Sequence, residues 1–531
     1  MAKRLRSLDD MANQLVWFKR DLRIHDHLPL FEAARSGRVI CLYVLEPEML
    51  NAAEFHPAHQ IFINQSLRDL RGKLRELGAD ITLRRGDAVE ILDELVNDYE
   101  VEHVWAHEET GSYWSYVRDR RVRSWAKRKG VTFTELPQGG VVRRLKTRDG
   151  WAKQWQQRMT QAVTPAPDHI EPAPDHIGDV KLKHGRIPSL KSLGLPKSEM
   201  TLAPKGGETL AHELLNSFLY ERGQFYRSEM SSPVTAFDSC SRLSAYLTWG
   251  NISLRQIYQA TQARRVELKK ANNPADKAWL ASLSSFQSRL RWHDHFIQKL
   301  EDEPGLEFYN SNRGFDTLRD SEPDEVRLQA WQDGQTGYPM VDACMRSLKK
   351  TGWLNFRMRA MVTSFASYHL WLHWRSTGLY LAKHWIDSEP GIHWSQMQMQ
   401  SGVTGINSTR IYSPRKQVED QDPKGVFIRK WVPELQDVPD AYIAEPHTMP
   451  EMVQGMAGCL IGQDYPAPIV DPKVAYHEAR TRMYEAKGAK EVQVEKARVL
   501  KRHGSRSNPN QRWRKQEERK KKEEKRKMVK L

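Results

Sequence analysis

The residues with the most chemical potential lie between 353 and 394. Trp353-Leu354-Asn355-Phe356-Arg357-Met358-Arg359 leads into an aromatic-rich stretch, which is followed by Asp387-Ser388-Glu389-Pro390-Gly391-Ile392-His393-Trp394. Arg359, Asp387 and Glu389 therefore sit among Trp371, Trp374, Trp385 and Trp394. An unpaired ion among that much indole is strongly unfavourable, so these groups must pair with one another or hold a ligand. A large, redox-active, anionic aromatic cofactor suits such a pocket.

Two further segments carry chemistry. Cys240-Ser241-Arg242-Leu243-Ser244 places two hydroxyls and a guanidinium at the start of a helical run, where free backbone N–H groups and the helix dipole favour an anion. Taken alone, it reads better as an ordinary helix cap. A helix over 286–300 carries Arg289, Trp292 and His293, and taken alone it is an amphipathic helix with a core tryptophan.

The elements that position these residues fall into two parts. From 15 to 136, short apolar runs at 15–18, 39–45, 81–83, 103–106 and 131–133 alternate with helical stretches at 30–35, 61–77, 88–97 and 113–129. Strand–helix alternation at this spacing predicts a parallel sheet covered on both faces. Ligands on such sheets bind at the carboxyl ends of strands, which makes Trp105-Ala106-His107-Glu108-Glu109 a candidate pocket. The near-tandem repeats Pro165–Ile170 and Pro172–Ile177 read as part of a long irregular linker, 141–206. His169 and His176 in those repeats have no further ligands nearby and read as linker residues. Helical periodicity dominates from 207 to 490, predicting an all-α domain. Residues 1–13 form an N-terminal extension and 491–531 a basic tail.

With 531 residues the chain exceeds what one core usually serves. No apolar run is long enough to span a bilayer and no secretory signal is apparent, so a cytoplasmic protein is expected, nucleoid-associated if bacterial. The four cysteines are scattered, with no metal-binding spacing, and are expected to be reduced. Net charge is +15, which favours polyanionic partners. Residues 511–531 alone hold 11 Lys/Arg and 4 Glu, a net of +7, and read as either a solubilising extension or a nucleic-acid arm.

Further motifs complete an ordered series: Leu15-Val16-Trp17-Phe18-Lys19-Arg20-Asp21-Leu22-Arg23, Gly334-Gln335-Thr336-Gly337-Tyr338-Pro339-Met340-Val341-Asp342, Arg410-Ile411-Tyr412-Ser413-Pro414 and Phe427-Ile428-Arg429-Lys430-Trp431-Val432-Pro433-Glu434-Leu435. Together with the segments at 240–244, 353–359 and 387–394, they closely resemble the photolyase/cryptochrome family of light-driven flavoproteins, from about 14 to about 484. The resemblance implies a Rossmann-like α/β antenna domain (14–140) followed by an all-α FAD-binding domain (207–490). It places Tyr226, Cys240, Ser241, Arg242, Leu243, Ser244, His293, Trp353, Phe356, Arg359, Asp387 and Glu389 around FAD. Cys240 replaces a common Thr, and His293 replaces an Arg near the flavin phosphates.

Trp292 corresponds to the ring that stacks on a flipped lesion and, with Arg359 and Asp387, makes up the catalytic set. Met397 stands where a second lesion-contacting Trp is usual, and Arg410, Lys416 and Gln417 form a candidate DNA-contacting segment. Trp374 aligns with the middle of an electron relay and Trp394 lies next to its flavin-proximal position. The outer member falls near Ser321 and is missing, with Trp371 and Trp385 as substitutes.

Arg289 stands where enzymes acting on cyclobutane dimers usually carry an acid. Asn355 and Ala360 stand where 6-4 photolyases carry histidines, which disfavours that mechanism. The residue opposite flavin N5 is open among Gly391, Ile392 and His393, and the antenna among folate, deazaflavin and flavin. The expected function is light-driven repair of pyrimidine dimers in DNA by a monomer. The alternatives are a blue-light photoreceptor with a signalling partner and a DNA-binding flavoprotein without repair.

Overall fold

The computed structural model describes residues 11–177, 180–271 and 273–504. Strands β1 (Asn13–Phe18), β2 (Arg38–Leu45), β3 (Ile81–Arg85), β4 (Val101–His107) and β5 (Thr132–Leu136) form one sheet in the order β3-β2-β1-β4-β5. Every pairing is parallel. All five strand segments expected from sequence are present, most of them longer by a few residues.

Alternation along β1 divides the core. Val16 and Phe18 pack beneath α1 (Leu28–Ser36) and α2 (Pro57–Glu76). Leu15 and Trp17 pack beneath α3 (Ala88–Asp98) and α4 (Tyr113–Lys129). Both faces are thus covered, as near-continuous apolar runs in β1 and β2 require. Asp87 starts α3 by accepting the N–H groups of Val89 and Glu90.

The expected structureless linker is not what folds. Residues Trp151–Thr160 form helix α5, whose Trp151, Trp155 and Met159 are buried. The indole of Trp155 donates to Asp294 Oδ2 at 2.8 Å, and the Gly140 N–H donates to the same oxygen. The first proline-rich repeat is tied down by the Ile170 N–H to the Leu77 carbonyl, and Pro172 bridges Val39 at the start of β2. The second ends in a short antiparallel pairing of His176–Ile177 with Val180–Lys181. Prolines stopped a periodic pattern from appearing in sequence, but carbonyl-to-amide bonds to the neighbouring domain order the segment without one.

The second domain is helical. Its main helices are α6 (Glu208–Ser217), α7 (Leu254–Ala271), α8 (Lys277–Asp302), α9 (Pro339–Thr351), α10 (Phe356–Ser364), α11 (Trp374–His384), α12 (Pro390–Gln400) and α13 (Pro472–Gly488). Helix α14 (Lys490–His503) follows, so the helical domain runs past the boundary placed at 491 and the first part of the supposed tail is docked. Val492 and Val499 are buried, Asn312 Nδ2 donates to the Val492 carbonyl, and His503 Nε2 lies 2.6 Å from Glu303. Residues 505–531 lie outside the described residues. No described helix is long and apolar enough to cross a membrane.

The two domains meet on buried polar groups. Glu208, fully buried, accepts the N–H groups of Ile24 and His25, the His25 ring and Lys73 Nζ. Burial alone would raise its carboxyl, but His25, Lys73 and the Ile24 N–H bring it down to about 2. Gly250 sits on this seam at φ 69°, where a Cβ would lie 2.2 Å from the Arg20 carbonyl oxygen and 2.4 Å from Asp21 Cα. Left-handed backbone and overpacking each cost about 1–3 kcal/mol. Gly250→Ala is therefore expected to destabilise the protein by about 2–5 kcal/mol in a denaturant titration, and a loss below about 1 kcal/mol would contradict the seam described.

Candidate functional site

Arg359, in α10, donates from Nη1 and Nη2 to the two oxygens of Asp387 at 3.0 and 2.8 Å and from Nε to the Leu354 carbonyl at 2.7 Å. Its guanidinium lies 4.1 Å from the ring centroid of buried Trp385. The fork geometry fixes both charges at the junction between α11 and α12, as the sequence required of ions among indoles.

The 240–244 segment is shaped by a residue the sequence reading missed. Arg222 donates to the carbonyls of Leu214, Asp238, Cys240 and Ser241, drawing these oxygens to one side. The N–H groups of Ser241 and Arg242 bond to no protein acceptor among the described residues. Arg242 has φ 60° and places its guanidinium 3.8 Å from the Phe237 centroid and 4.0 Å from that of Trp353. Burial lowers its pKa to about 10, an effect that Asp387 opposes only in part. A largely buried cation beside free amides fits a diphosphate. Leu243 is buried, Ser244 opens a short helix (Ser244–Thr248), and burial pushes the Cys240 thiol up to about 12. Tyr226 is packed against Phe218 and Phe286.

Trp374 and Trp394 are buried with ring centroids 5.9 Å apart in an edge-on arrangement, and Trp374 Nε1 donates to Asn310 Oδ1 at 2.7 Å. Trp371 is part-buried between the guanidinium groups of Arg319 and Arg482, at 4.5 and 4.9 Å. Trp385 lies against Arg359 instead of continuing the indole pair.

Several expected site residues stand elsewhere. Glu389 turns away from Asp387 and pairs with Arg20 of the α/β domain at 2.8 Å. Burial raises its carboxyl, and Oε1 has no protein partner. His293 pairs with Asp294 and lines the same interdomain cavity as Glu389, Leu247 and Thr248. Phe356 is 60 % exposed at the start of α10, outside the buried frame. Met397 is buried, its sulfur accepting from Thr363 Oγ1, so it presents no face to a base. Gln417 is buried as well, while Lys416 is exposed beside Asp420 and Arg410 is exposed. Trp292 is 43 % exposed on α8, stacked on Phe296. Helix periodicity places a residue on a face, but which face another element covers is decided by packing.

Of the three candidates near flavin N5, Gly391 packs on the backbone of Ile297 and the His393 ring bonds the Gly378 carbonyl, which leaves Ile392 half-buried.

At the carboxyl ends of β1 and β2 lies a second, ring-lined cavity containing Trp17, Tyr43, Trp114, Arg118, Trp249 and Pro390. Arg118 bonds Glu46 and Glu109 at 2.5 and 2.6 Å while lying over Trp17 and Trp114. Burial pushes Glu46 up to about 7 despite that guanidinium. Of the strand-end segment Trp105–Glu109 only Glu109 lines this cavity, while His107, Glu108 and Glu109 line the interdomain cavity with Glu389, and the indoles converge here from separate segments. Nearby, Asp21 accepts from His27 Nε2 and His107 Nδ1 at 2.9 and 2.7 Å. His27 Nδ1 accepts the Leu30 N–H, so its Nε2 carries the proton and the cluster is a hydrogen-bonded triad.

An α/β domain with a strand-end cavity, joined to a helical domain holding a guanidinium–carboxylate frame and an anion-seeking loop, is the architecture of a two-domain flavoprotein. Residues 14–167 match the family described as DNA photolyase, and 286–485 match the FAD binding domain of DNA photolyase. Cryptochrome DASH of Gloeobacter violaceus is 32 % identical over 86 % of this chain and 93 % of its own. The deoxyribodipyrimidine photo-lyase of Escherichia coli is 29 % identical over 88 % and 97 %. Among solved structures, a bacterial class III photolyase from Agrobacterium tumefaciens superposes with a TM-score of 0.79 at 27 % identity, covering 92 % of this chain and all of that one. The chain belongs to the photolyase/cryptochrome family, and its helical domain is an FAD-binding domain.

Asp387→Asn leaves the Arg359 cation without its carboxylate. Because Arg359 is 26 % exposed, the expected cost is about 2–3 kcal/mol, below that of a fully buried pair, with less flavin retained per protein. Flavin absorbance and thermal melting check this, and wild-type values for both would remove the pair from the cofactor frame. Trp374→Phe is expected to slow blue-light reduction of bound FAD at least tenfold while FAD content stays unchanged, since phenylalanine is much harder to oxidise. Unaltered reduction kinetics would return Trp374 to a packing role.

Proposed function

We propose that this protein is a DNA photolyase acting on pyrimidine dimers. The observation that carries the reading is Trp292, a large ring left 43 % exposed on α8 in a domain that buries most of its other indoles. An extruded base stacks on such a ring with about 1–3 kcal/mol, and extrusion is least costly at a damaged step. Bound FAD supplies the photoexcited electron that opens the dimer and receives it back. Arg359 and Asp387 hold the flavin side of the pocket by a fixed charge pair, while Arg242 and the free amides beside it take the diphosphate. Trp374 and Trp394 conduct reducing electrons inward from the surface. Arg289 and Phe356, both exposed and both next to Met230 or its neighbours through Arg289 Nη2 and the Asn355 amide, form the mouth. An arginine there, where dimer-repair enzymes usually carry an acid, favours a lesion that offers acceptors. The ring-lined cavity around Trp17 and Arg118 suits a planar antenna chromophore with polar edges.

A second reading, a photoreceptor, is supported by Trp371. Arg482, which belongs to α13, stacks on it and would link oxidation at the edge of the relay to the C-terminal helices.

The deciding experiment is light-dependent reversal of dimers in single- and double-stranded DNA by the flavin-loaded protein. Reversal is expected, and Trp292→Ala is expected to erase the binding preference for dimer-containing over intact DNA, a loss of about 10-fold or more. Absence of both reversal and dimer preference in the wild type would favour the photoreceptor.

A further inference from the structure

Glu208 and His212 stand one turn apart on α6, and His25 reaches them from the loop that precedes α1 in the other domain. His25 Nδ1 lies 2.9 Å from Glu208 Oε1 and His212 Nε2 lies 4.0 Å from the same oxygen, with all three atoms within 4.8 Å of one another. Around a four-coordinate zinc ion, with bonds of about 2.0–2.1 Å, such donors stand about 3.3–3.5 Å apart. The two observed edges fall on either side of that spacing, so a movement of about half an ångström at each ring brings both edges to it.

The carboxylate divides its two oxygens. Oε2 takes Lys73 Nζ at 3.0 Å and the Ile24 N–H at 3.1 Å, while Oε1 faces the histidines and accepts the His25 N–H. A metal bound through Oε1 alone leaves the bonds of Oε2 in place. Its charge adds to that of Lys73, but Asp69 Oδ2 stands 3.6 Å from the same ammonium, so Glu208 and Asp69 together outweigh the lysine.

The imidazoles are prepared differently. Gln256, on α7, is fixed through its Oε1, which accepts the Ser253 N–H at 2.9 Å, and its amide nitrogen is thereby turned to His212 Nε2 at 3.5 Å. An amide N–H meets only a lone pair, so His212 carries its proton on Nδ1 and presents Nε2 unprotonated. His25 Nδ1 uses its proton on Glu208 Oε1, and a metal there replaces one hydrogen bond while the ring takes its Nε2–H tautomer. Access is open, because the His25 and His212 side chains are 48 and 38 % exposed while Glu208 is buried. Asp21, His27 and His107 also bring three such donors together, but they are buried throughout and bonded to one another and to the Leu30 N–H.

We infer that His25, Glu208 and His212 form a site for a divalent transition-metal ion of the zinc type, which clasps the α/β domain to α6. Two imidazoles and one carboxylate favour zinc, nickel or copper over magnesium and calcium, whose ligands are mainly oxygens. A fourth position remains for water. The inference rests neither on repair nor on the flavin.

The test is zinc binding to the full-length, FAD-loaded protein after treatment with a chelator, by equilibrium dialysis with metal analysis and by thermal melting. Wild type is expected to hold one zinc ion more than either His25→Gln or His212→Gln. His169→Gln, which removes an exposed linker imidazole, is expected to hold as much as wild type. Zinc at a hundred to a thousand times its dissociation constant is expected to raise the wild-type melting temperature by about 2–4 °C, and the rise is expected to vanish in both site variants. FAD content at the wild-type level shows that each variant is folded, and each zinc shift is read against the same variant's metal-free melting temperature. Equal zinc content in wild type and both site variants makes the bound metal adventitious and overturns the inference. Zinc lost in the variants without a melting shift in wild type overturns the clasp. A shift of equal size from magnesium overturns it as well, since a site built on imidazoles does not take that ion.

Discussion

Asp387 and Glu389 are two residues apart, and their carboxylates face opposite ways. Asp387 meets Arg359 of its own domain and Glu389 meets Arg20 of the other. Ser388 and Pro390 line the ring-lined cavity of the α/β domain. One four-residue segment thus borders the flavin frame, the interdomain cavity and the candidate antenna site. Neither acid can turn inward without its guanidinium, because an unpaired buried carboxylate costs several kcal/mol. That requirement fixes the start of α12, and with it Trp394 against Trp374. It also couples the separation of the two light-related sites to the domain seam. The same seam carries Glu208 and the close approach at Gly250, so domain docking and site geometry are one problem.

The electrostatic organisation follows a common rule. Buried carboxylates are reached by guanidinium groups, as Asp387 is, by rings, as Asp21 is by His27 and His107, or by backbone N–H groups, as Glu208 is. Arg242 and Arg319 each stack on two rings and find no carboxylate of their own among the described residues. Of the two, Arg242 lies beside the 240–244 backbone amides and is the candidate partner for a cofactor's negative charge.

Much was legible in the sequence because its signals were local. Alternating apolar runs located all five strands, since burial on both faces leaves no room for polar residues. The cost of an unpaired ion among indoles called for a partner or a ligand, the family resemblance implied the Arg359–Asp387 pair, and the family motifs identified the flavin domain. Trp374 and Trp394 have ring centroids 5.9 Å apart, a contact that the spacing of two indoles on separate helices did not announce. Segments whose order comes from contacts distant in the chain were less readable. The 141–206 stretch looked irregular because its anchors, Leu77, Val39 and Asp294, lie in other elements. Helix α14 was grouped with the basic tail from 491 because its few apolar residues are spaced to meet a surface that exists only after folding.

The sequence by itself determined the family, the two-domain division, the sheet and the charged-aromatic composition of the flavin site, because periodicity and motif order are properties of adjacent residues. Only the tertiary structure decided which way each side chain faces. Glu389 and His293 went to the domain seam, Met397 and Gln417 went inside, and Phe356 stayed in water. Arg222, Trp17, Trp114 and Trp249 entered sites that no local pattern announced. The physical reason is that burial and charge pairing are satisfied by whichever partner arrives in three dimensions. A sequence states that a charge needs a partner, and the packing of helices and sheet supplies it.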